Sequence, residues 1–376
     1  MVFVTTTPAL HKSGAFRLLG RGMDVLFLFF SRGREPYRSA SATPVYEGLR
    51  HQDVGATAQS RAAVLKSLLR VVALSRYEVL IKCINGKGEL LICYCACRLR
   101  RRKFILWTGI WKWPDSIGHR LGRPVVRYIC RHADAVCTYG SHVSRFLEDE
   151  GVDSEKLIVV PQPVEPDRTF HRAGRRPVES SDRLRLLFVG RLVEEKGVAT
   201  LLRAAGPLSD RVSLTVVGDG PQRGMLEGLA HRVGLDVTWV GQQDPSDLAE
   251  LYRRSDSVVI PSVTTRMTRE PWGFIANEAM LSGCVVVAST AVGAVAGGLV
   301  RDGVTGLVFE EYDHVALRDR LERLCMDQEL RASLSRAGEL EARTYTEERA
   351  CAGFRAAIES VLRPTPDRST VSSIST

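Results

Sequence analysis

The sequence predicts an α/β protein built from two doubly wound, parallel-sheet domains. In the second half of the chain, short β-branched runs alternate with segments of helical spacing, and the runs are apolar on both faces. This alternation is typical of a parallel sheet covered by helices on both sides. Glycine recurs where the runs end, as at Gly190 and Gly218. Because ligands bind at the carboxyl ends of such strands, we expect a binding site there.

The individual elements follow from these periodicities. In the second half we predict strands over 184–189, 213–217, 237–240, 257–260, 284–288 and 305–309, and helices over 198–205, 221–233, 247–255 and 274–282. The first half is less regular. It predicts strands over 23–30, 79–83, 104–107, 135–138 and 157–160, with one clear helix over 117–132. The two halves are therefore expected to share one architecture.

Length and composition suggest the domain boundaries. A chain of 376 residues is long enough for two domains with separate cores. We assign the first domain to 1–165 and the second to 184–345, joined by a polar linker over 166–183 that is rich in Arg. Residues 346–363 are predicted to be helical. The tail over 364–376, which is rich in Ser, Thr and Pro, is predicted to be disordered.

The protein is basic, with a net charge of +9 and a pI near 9.2. A basic surface suits nucleic acid, an anionic membrane or a phosphorylated substrate. No helix-turn-helix, zinc-finger or RNA-binding signature is present, so nucleic acid is not expected as a partner. The densest basic run, 98–103, is either a solvated helix end before a strand or a patch that holds lipid phosphate at an anionic membrane.

The cysteines and the apolar runs bear on the cellular compartment. The nine cysteines are odd in number and scattered, which fits a reducing cytosol better than a disulfide framework. Cys93, Cys95 and Cys97 lack the spacing of zinc ligands and are interpreted as buried small side chains. No secretory leader is recognisable, and runs such as 25–30 are far shorter than a membrane span. We expect a cytoplasmic protein, either soluble or peripheral at the inner face of the membrane.

The first group of candidate functional residues lies in 190–197, after a predicted strand and before a predicted helix. Gly190 allows a tight turn, and Arg191 and Lys196 place two cations near a helix N-terminus. Arginine offers a planar fork to phosphate oxygens and lysine a point charge, so the pair suits a diphosphate. The alternative is a surface turn with solvated charges.

The second group contains two glutamates. Glu270 is predicted to lie in a loop before a helix, with Glu278 about two turns into that helix. Carboxylates accept hydrogen bonds from hydroxyls, so both residues suit a sugar or a ribose. Gly273, Phe274 and Ile275 lie where free helix N–H groups would face a phosphate. The alternative is that one acid stabilises the helix dipole and the other is exposed.

The order of these motifs resembles that of family 4 glycosyltransferases of the GT-B fold, over nearly all of 184–345. The residues that carry the resemblance are Phe188-Val-Gly-Arg-Leu, Glu195-Lys-Gly, Val217-Gly-Asp-Gly-Pro221, Pro261-Ser262, Glu270-Pro-Trp-Gly, Asn277-Glu-Ala-Met280 and Asp302-Gly-Val-Thr-Gly306. The first half resembles a subset of the family through Trp107-Thr-Gly-Ile-Trp111 and Tyr139-Gly-Ser-His142-Val143.

The resemblance implies two Rossmann-like domains that face a central cleft. The first domain would bind the acceptor and the second the donor, with helix 346–363 packing back towards the first domain. The implied activity is retaining and metal-independent, and it needs no cofactor. A hexose-type sugar would move from a nucleotide-diphosphate sugar to a glycan, lipid-linked or small-molecule acceptor. Polysaccharide or glycolipid biosynthesis is the implied setting.

The resemblance also implies roles for the matched residues. Arg191 and Lys196 would neutralise the diphosphate, Glu270 would bind hydroxyls of the transferred sugar, and these three form the predicted catalytic set. Because no His follows the strand over 104–107, Asp115 and His119 are the candidates on the acceptor side. The predicted donor-binding residues are Gly14, Gly190, Arg191, Lys196, Gly218, Val240, Gly241, Glu270, Gly273, Phe274, Ile275 and Glu278. Within this set, Glu278 would bind the ribose, Val240 and Gly241 the base, and Gly14 the diphosphate from the first domain.

Several alternatives stay open on the sequence. A sugar-nucleotide epimerase or a non-catalytic nucleotide-sugar-binding protein would keep the same nucleotide site. A nicotinamide-dependent oxidoreductase would need Gly-x-Gly-x-x-Gly after a strand, and Gly218-Asp-Gly220 lacks the third glycine. No Asp-x-Asp motif is present, so no metal site is expected. Trp107, Trp111 and Trp113 either stack on an acceptor sugar or pack in the core.

Overall fold

The structure, a computed structural model, describes residues 1–6, 13–30, 48–54, 60–163 and 183–363. Two parallel sheets organise these residues, the first formed by residues before 160 and the second by residues after 183. Most of the predicted linker and all of the predicted tail lie outside the described residues.

The first sheet has seven strands in the order β3-β2-β1-β4-β5-β6-β7, and all neighbouring strands are parallel. The strands are β1 (Val2–Thr5), β2 (Leu26–Phe29), β3 (His51–Asp53), β4 (Val79–Cys83), β5 (Lys103–Thr108), β6 (Ala135–Thr138) and β7 (Leu157–Val159). The helices of this part are α1 (Ser13–Gly22), α2 (Arg61–Leu74), α3 (Lys87–Leu99), α4 (Ile117–His132) and α5 (Ser141–Asp149).

The second sheet has six parallel strands in the order β10-β9-β8-β11-β12-β13. They are β8 (Leu184–Val189), β9 (Val212–Val217), β10 (Val237–Gly241), β11 (Ser257–Ile260), β12 (Val285–Ser289) and β13 (Leu307–Phe309). The helices are α6 (Val198–Ala205), α7 (Arg223–Arg232), α8 (Pro245–Arg254), α9 (Ile275–Leu281), α10 (Gly293–Ala296), α11 (His314–Met326) and α12 (Gln328–Ala342). The strand order reverses at β8, whose neighbours are β9 and β11. A reversal of this kind opens a crevice at the carboxyl ends of the strands.

Each domain has its own hydrophobic core. In the first domain, Phe3 of β1 contacts Phe16, Phe27 and Trp107, with ring centroids 4.9, 5.6 and 5.8 Å apart. The second sheet has a separate apolar cluster on each face, one against α6, α7 and α11 and the other against α9 and α10. Burial on both faces explains why its strands are apolar throughout.

The last helix, α13 (Glu347–Leu362), belongs to the core of the first domain. It packs against α1, β5, β6 and β7, although the whole second sheet precedes it in the chain. The Phe354 ring lies 5.4 Å from Phe3 and 5.4 Å from Trp107, measured between centroids. The chain therefore returns to the first domain at its end.

The predicted fold class is confirmed, while several details differ from the prediction. The sequence missed β1, which has only four residues, and β3, whose residues are polar or only partly buried. Helix α9 begins at Ile275, so Glu278 lies in its first turn and not two turns in. Cys95 is exposed, because on helix α3 it lies on the side opposite to Cys93 and Cys97, which are four residues apart and share the buried face. Among the described residues, no helix is both long and apolar enough to cross a bilayer.

Replacing Gly218 by alanine should destabilise the second domain. Gly218 has φ +123°, and an added Cβ would lie 1.9 Å from the carbonyl oxygen of Gly190. Both the backbone conformation and the clash oppose a side chain, so we expect a loss of about 2–4 kcal/mol in the free energy of unfolding. Urea unfolding followed by circular dichroism measures it.

Gly224→Ala is the matched control, because Gly224 is exposed in helix α7 and an added Cβ meets nothing within 4 Å. Alanine should stabilise that helix by up to about 1 kcal/mol. Equal unfolding midpoints for the two variants would contradict the assignment of Gly218 to a close backbone contact.

Candidate active site

Three glycines at adjacent strand ends form the floor of the candidate site. Gly190 follows β8, Gly218 follows β9 and Gly241 ends β10. The Gly218 N–H donates to the Gly241 carbonyl at 2.7 Å, and the Gly190 N–H donates to the Val217 carbonyl at 3.0 Å. Gly218 must lack a side chain for this approach, since an added Cβ would lie 1.9 Å from the Gly190 carbonyl oxygen. The structure thus brings together three of the predicted donor-binding residues.

The loop after β8 is held against the end of β11. Lys196 closes a single 3-10 turn, Glu194–Lys196, and Gly197 follows it with φ +64°. A Cβ on Gly197 would lie 1.8 Å from the Pro261 carbonyl oxygen, so only glycine allows this approach. The Val263 N–H also donates to the Glu195 carbonyl at 2.9 Å. These contacts fix the position of Lys196 relative to the segment that follows β11.

Lys196 and Glu270 form an ion pair at the centre of the site. Lys196 Nζ donates to Glu270 Oε2 at 2.5 Å, and Ser262 Oγ donates to the same oxygen at 3.2 Å. The side chains of Lys196 and Glu270 are 18% and 15% exposed. The two groups of residues found in the sequence therefore meet, cation to carboxylate, in one partly shielded place.

Arg191 lies on the same loop but makes a different contact. Its guanidinium pairs with Glu195 at 3.0 Å, and about half of its side chain is exposed. Each predicted phosphate-binding cation is therefore paired with a neighbouring carboxylate: Lys196 with Glu270 and Arg191 with Glu195.

Glu278 lies in an apolar pocket beside the strand ends. Tyr252, which is fully buried, donates its hydroxyl to Glu278 Oε2 at 2.8 Å. Burial raises the pKa of the Glu278 carboxyl to about 7, and the Tyr252 hydrogen bond lowers it by a smaller amount. Val240, Phe274 and Ile275 border the same apolar cluster as Tyr252. Glu278, the predicted ribose residue, thus bonds to a member of the apolar cluster against which Val240, a predicted base residue, also packs.

The start of helix α9 forms another edge of the site. Gly273 has φ +88°, and Phe274 is the N-cap of the helix without a side-chain capping bond. The first N–H groups of a helix lack partners within the helix, so an uncapped start can accept an oxyanion. The backbone of Phe274 and Ile275, which is predicted to meet a phosphate, lies at this helix start.

The first domain contacts the backbone of the loop that carries Glu270. The Trp111 indole N–H donates to the Glu270 carbonyl at 3.0 Å, and His142 Nε2 donates to the Pro271 carbonyl at 3.1 Å. The Arg269 guanidinium stacks on Trp111, 3.9 Å from the ring centroid. Burial lowers the pKa of His142 to about 4, so its ring is neutral at physiological pH.

The sequence did not predict the contacts of Trp111 and His142. It shows Trp111 as one of three clustered tryptophans and offers His119 as the first-domain histidine. The signal that could have identified His142 is its place in Tyr139-Gly-Ser-His142, directly after strand β6 at the edge that faces the second domain.

Asp115 and His119 have local partners. Asp115 forms ion pairs with Arg120 and, at 3.6 Å, with Arg266 of the second domain. The hydrogen bond from Arg120 holds the pKa of the Asp115 carboxyl below its usual range. His119 Nδ1 lies 2.7 Å from Ser116 Oγ, near the start of α4. Asp115 therefore lies at the boundary between the domains, and His119 lies on the adjacent helix.

Gly14 is covered by the last helix of the chain. A Cβ on Gly14 would lie 1.8 Å from a carboxylate oxygen of Glu347, the first residue of α13. In this structure the glycine therefore accommodates the contact between α1 and α13.

The three tryptophans divide between core and interface. Trp107 is buried in the first core, whereas Trp113 packs against Phe146 at 5.8 Å and beneath Arg123. Together with the Arg269 stack on Trp111, these contacts give each of the three rings partners within the protein. Within the described ranges, no group of three or more His, Cys, Asp or Glu side chains is arranged to hold a metal ion.

Comparison with known proteins identifies the class of the fold and then the family. Two parallel α/β domains facing each other through the Glu270 loop define the GT-B fold. A family model described as Glycosyltransferase Family 4 matches residues 15–168, and one described as Glycosyl transferases group 1 matches residues 172–341. The chain belongs to glycosyltransferase family 4.

Similar sequences carry glycosyltransferase names. An uncharacterized glycosyltransferase of Methanocaldococcus jannaschii is 39% identical over 116 residues, which are 30% of this chain and 28% of that protein. The D-inositol 3-phosphate glycosyltransferase of Actinosynnema mirum is 34% identical over 205 residues, 49% of this chain and 46% of that protein. Each alignment thus spans less than half of the relative's own length.

Solved structures share the fold over almost the whole chain. Anabaena HepE in complex with UDP superposes with a TM-score of 0.76 at 17% identity, covering 96% of this chain and 99% of that one. Sucrose-phosphate synthase of Thermosynechococcus elongatus superposes with a TM-score of 0.72 at 20% identity, covering 96% and 98%.

Trp111→Phe should weaken catalysis by removing the hydrogen bond to the Glu270 carbonyl while keeping a ring beneath Arg269. One neutral hydrogen bond contributes about 1 kcal/mol, so we expect a fall of roughly fivefold in kcat/KM. Trp113→Phe is the matched control, because among the described residues the Trp113 indole N–H has no acceptor. Release of nucleoside diphosphate from the donor measures both variants, and an equal loss in both would contradict the assignment.

Donor binding should depend on pH through Glu278. In its predicted role, the ionised Glu278 carboxylate would accept hydrogen bonds from the ribose hydroxyls, and a carboxyl with a pKa near 7 is largely protonated below that pH. Affinity should therefore rise as the pH increases through about 7 and level off above it. Calorimetric titration with UDP-glucose measures this affinity. UDP-glucose has no terminal phosphate, whose own pKa of about 6 would add a second pH dependence.

Glu278→Gln should flatten that pH profile, since glutamine does not titrate. A wild-type affinity that is already constant from about pH 6 to 8 would contradict this coupling between donor binding and the Glu278 carboxyl.

Proposed function

We propose that this protein is a retaining, metal-independent hexosyltransferase that takes its sugar from a nucleotide-diphosphate sugar. The observation that carries the proposal is the Lys196–Glu270 ion pair at the strand ends. It stands beside three glycines that leave room for a ligand and beside Glu278 in its apolar pocket. A diphosphate, a hexose and a ribose each find a matching group there.

The ion pair suggests how the donor is received. When the diphosphate enters, its oxygens compete with Glu270 for Lys196 Nζ. The Glu270 carboxylate then accepts hydrogen bonds from the hexose hydroxyls. One of its oxygens still accepts the hydrogen bond from Ser262 Oγ. Phosphate recognition and sugar recognition are thereby coupled. The donor breaks the single ion pair between Lys196 and Glu270 and replaces it with two contacts, one from the diphosphate to Lys196 and one from the hexose to Glu270.

The same cations support the chemistry. As the glycosidic bond to the diphosphate breaks, negative charge accumulates on the leaving phosphate oxygens. Lys196 lies in place to stabilise that charge, and Arg191 can turn from Glu195 to join it. Preorganised cations in a shielded site lower such a barrier without the reorganisation that water would need. The proposal includes retention of the anomeric configuration because the resemblance to family 4 glycosyltransferases implies it.

The named relatives and neighbours guide the choice of donor. Structures of Anabaena HepE contain UDP and UDP-glucose, and several relatives are named D-inositol 3-phosphate glycosyltransferase. We therefore propose a uridine-diphosphate hexose as the donor and a glycan, a lipid-linked glycan or a small polyol as the acceptor.

Lys196→Ala should lower turnover by about 10²–10³, the usual cost of removing one preorganised group that stabilises the leaving charge. Arg203→Ala, which removes one positive charge from the exposed side of α6, is the matched control and should retain normal turnover. Release of UDP, with analysis of the sugar product, measures both variants. Near-normal turnover in Lys196→Ala would refute the role of Lys196.

Thermal stabilisation tests donor binding independently of turnover. A nucleoside diphosphate at 100 times its Kd should stabilise the fold by about 2.7 kcal/mol, seen as a rise in Tm. UDP, GDP, ADP, their hexose conjugates and NAD form the panel. A rise in Tm with NAD alone, or no rise with any nucleotide, would refute the proposed function. A sugar epimer as the sole product would show that the enzyme is an epimerase and not a transferase.

A further inference from the structure

Tyr312 has a backbone conformation that is unusual for a residue with a side chain. Its φ is +68°, and among the described residues the only other non-glycine with a positive φ is Arg101. The Asp313 N–H donates to the Glu310 carbonyl at 3.1 Å and closes a turn directly after β13, which we call the β13 turn (310–313). Tyr312 is the third residue of this turn, where a positive φ favours glycine. The tyrosine is thus held in a strained conformation.

The start of the next helix does not require this strain. Helix α11 is capped by Asp313, whose Oδ1 accepts from the N–H groups of Val315 and Ala316 at 3.0 and 2.9 Å. Tyr312 is 55% exposed, so its ring adds little to the core. What the tyrosine contributes is its hydroxyl, which donates to the Thr264 carbonyl at 2.6 Å.

The β13 turn binds Thr264 at three atoms. The N–H and the hydroxyl of Thr264 donate to the two carboxylate oxygens of Glu311, the hydroxyl at 2.8 Å. The Thr264 carbonyl accepts from Tyr312. Two consecutive residues of one turn therefore bind the side chain and both backbone polar groups of Thr264.

Thr264 belongs to the loop that carries Glu270. This loop, 261–270, reverses at its tip, where the Thr265 N–H donates to the Thr268 carbonyl at 2.9 Å. Thr264 lies on the outgoing arm, and Glu270 lies at the end of the returning arm. Because the two arms are joined by this short turn, a contact that fixes one arm also restricts the other.

The returning arm is tied to the β13 turn as well. Arg269 Nη2 donates to the Thr290 carbonyl at 3.0 Å. Thr290 Oγ1 donates to Glu310 Oε2 at 2.9 Å and accepts from the Glu311 N–H at 3.3 Å. Both arms of the loop are therefore held by the β13 turn, one directly and the other through Thr290.

We propose that Tyr312 is a positioning residue that, together with Glu311, sets Glu270 for the transferred sugar by holding Thr264. A functional side chain must stay within about 0.5 Å of its productive position. The first domain holds the Glu270 carbonyl through Trp111, and the β13 turn holds the two arms of the loop. The positioning role rests on the proposed function, since it requires Glu270 to bind hexose hydroxyls.

Calorimetric titration with UDP-glucose and with UDP tests the proposal. Tyr312→Phe removes the hydroxyl but keeps the ring. Loss of one neutral hydrogen bond should weaken the binding of UDP-glucose about two- to tenfold. UDP has no hexose for Glu270 to bind, so its Kd should change by less than about twofold. Tyr128→Phe is the matched control, because Tyr128 is 53% exposed on α4, and it should bind both ligands like the wild type.

A double-mutant cycle shows whether Tyr312 acts through Glu270. In the Glu270→Ala background, Tyr312→Phe should cause no further loss of affinity for UDP-glucose, since no carboxylate remains to be positioned. A further loss as large as the one in the wild-type background would overturn the proposal.

Tyr312→Gly separates positioning from stability. Glycine adopts φ +68° without strain, so Tm should stay within about 2 °C of the wild type, while the affinity for UDP-glucose falls as in Tyr312→Phe. Arg101→Gly is the matched control, because Arg101 has φ +54° just after α3 and should change neither affinity. A fall in Tm with equal weakening of UDP and UDP-glucose in both Tyr312 variants would make Tyr312 a residue of the fold and overturn the proposal.

The results also separate the positioning role from the proposed function. Glu270→Ala that binds UDP-glucose as tightly as the wild type would refute the sugar-binding role of Glu270, and the positioning role would fall with it. Loss of affinity in Glu270→Ala, together with wild-type affinity in Tyr312→Phe, would overturn the positioning role alone.

Discussion

Lys196 and Glu270 join two loops that leave adjacent strands of the second sheet. The loop after β8 carries Lys196, and the segment after β11 carries Glu270, Pro271 and the start of α9. Because β8 and β11 are neighbours at the point where strand order reverses, their loops can meet only there. The close approach of Gly197 to the Pro261 carbonyl sets the distance between them. The ion pair is the contact that joins the charged side chains of the two loops.

The first domain acts on the same loop through its backbone. Trp111 and His142 donate to consecutive carbonyls, those of Glu270 and Pro271, so the loop is held from both sides. Backbone contacts position Glu270 without using its carboxylate, which instead bonds to Lys196 and Ser262. His142 suits this task because its burial keeps the ring neutral, so its hydrogen bond does not vary with pH near neutrality. Separation of the domains would release the loop and move Glu270.

Much of the fold and part of the site could be predicted from the sequence. The strands of the second half were recognised because burial on both faces makes them continuous apolar runs, as in Ser257–Ile260. Strand β3 could not be recognised, since His51–Asp53 has no apolar pattern. Lys196 and Glu270 were found separately, but their pairing depends on the neighbouring positions of β8 and β11 in the sheet. The raised pKa of Glu278 depends on Tyr252, which lies on a different helix and is buried with it only in the folded chain.

The position of α13 determines the order in which the domains can finish folding. Phe354 completes the aromatic core around Phe3 and Trp107, yet it is synthesised after every strand of both sheets. In topological terms, the second domain is inserted into a first domain whose core comes from two distant segments. During translation the second domain can close its own core while the first still exposes apolar surface. The part of the protein that emerges first from the ribosome is therefore the last to become native.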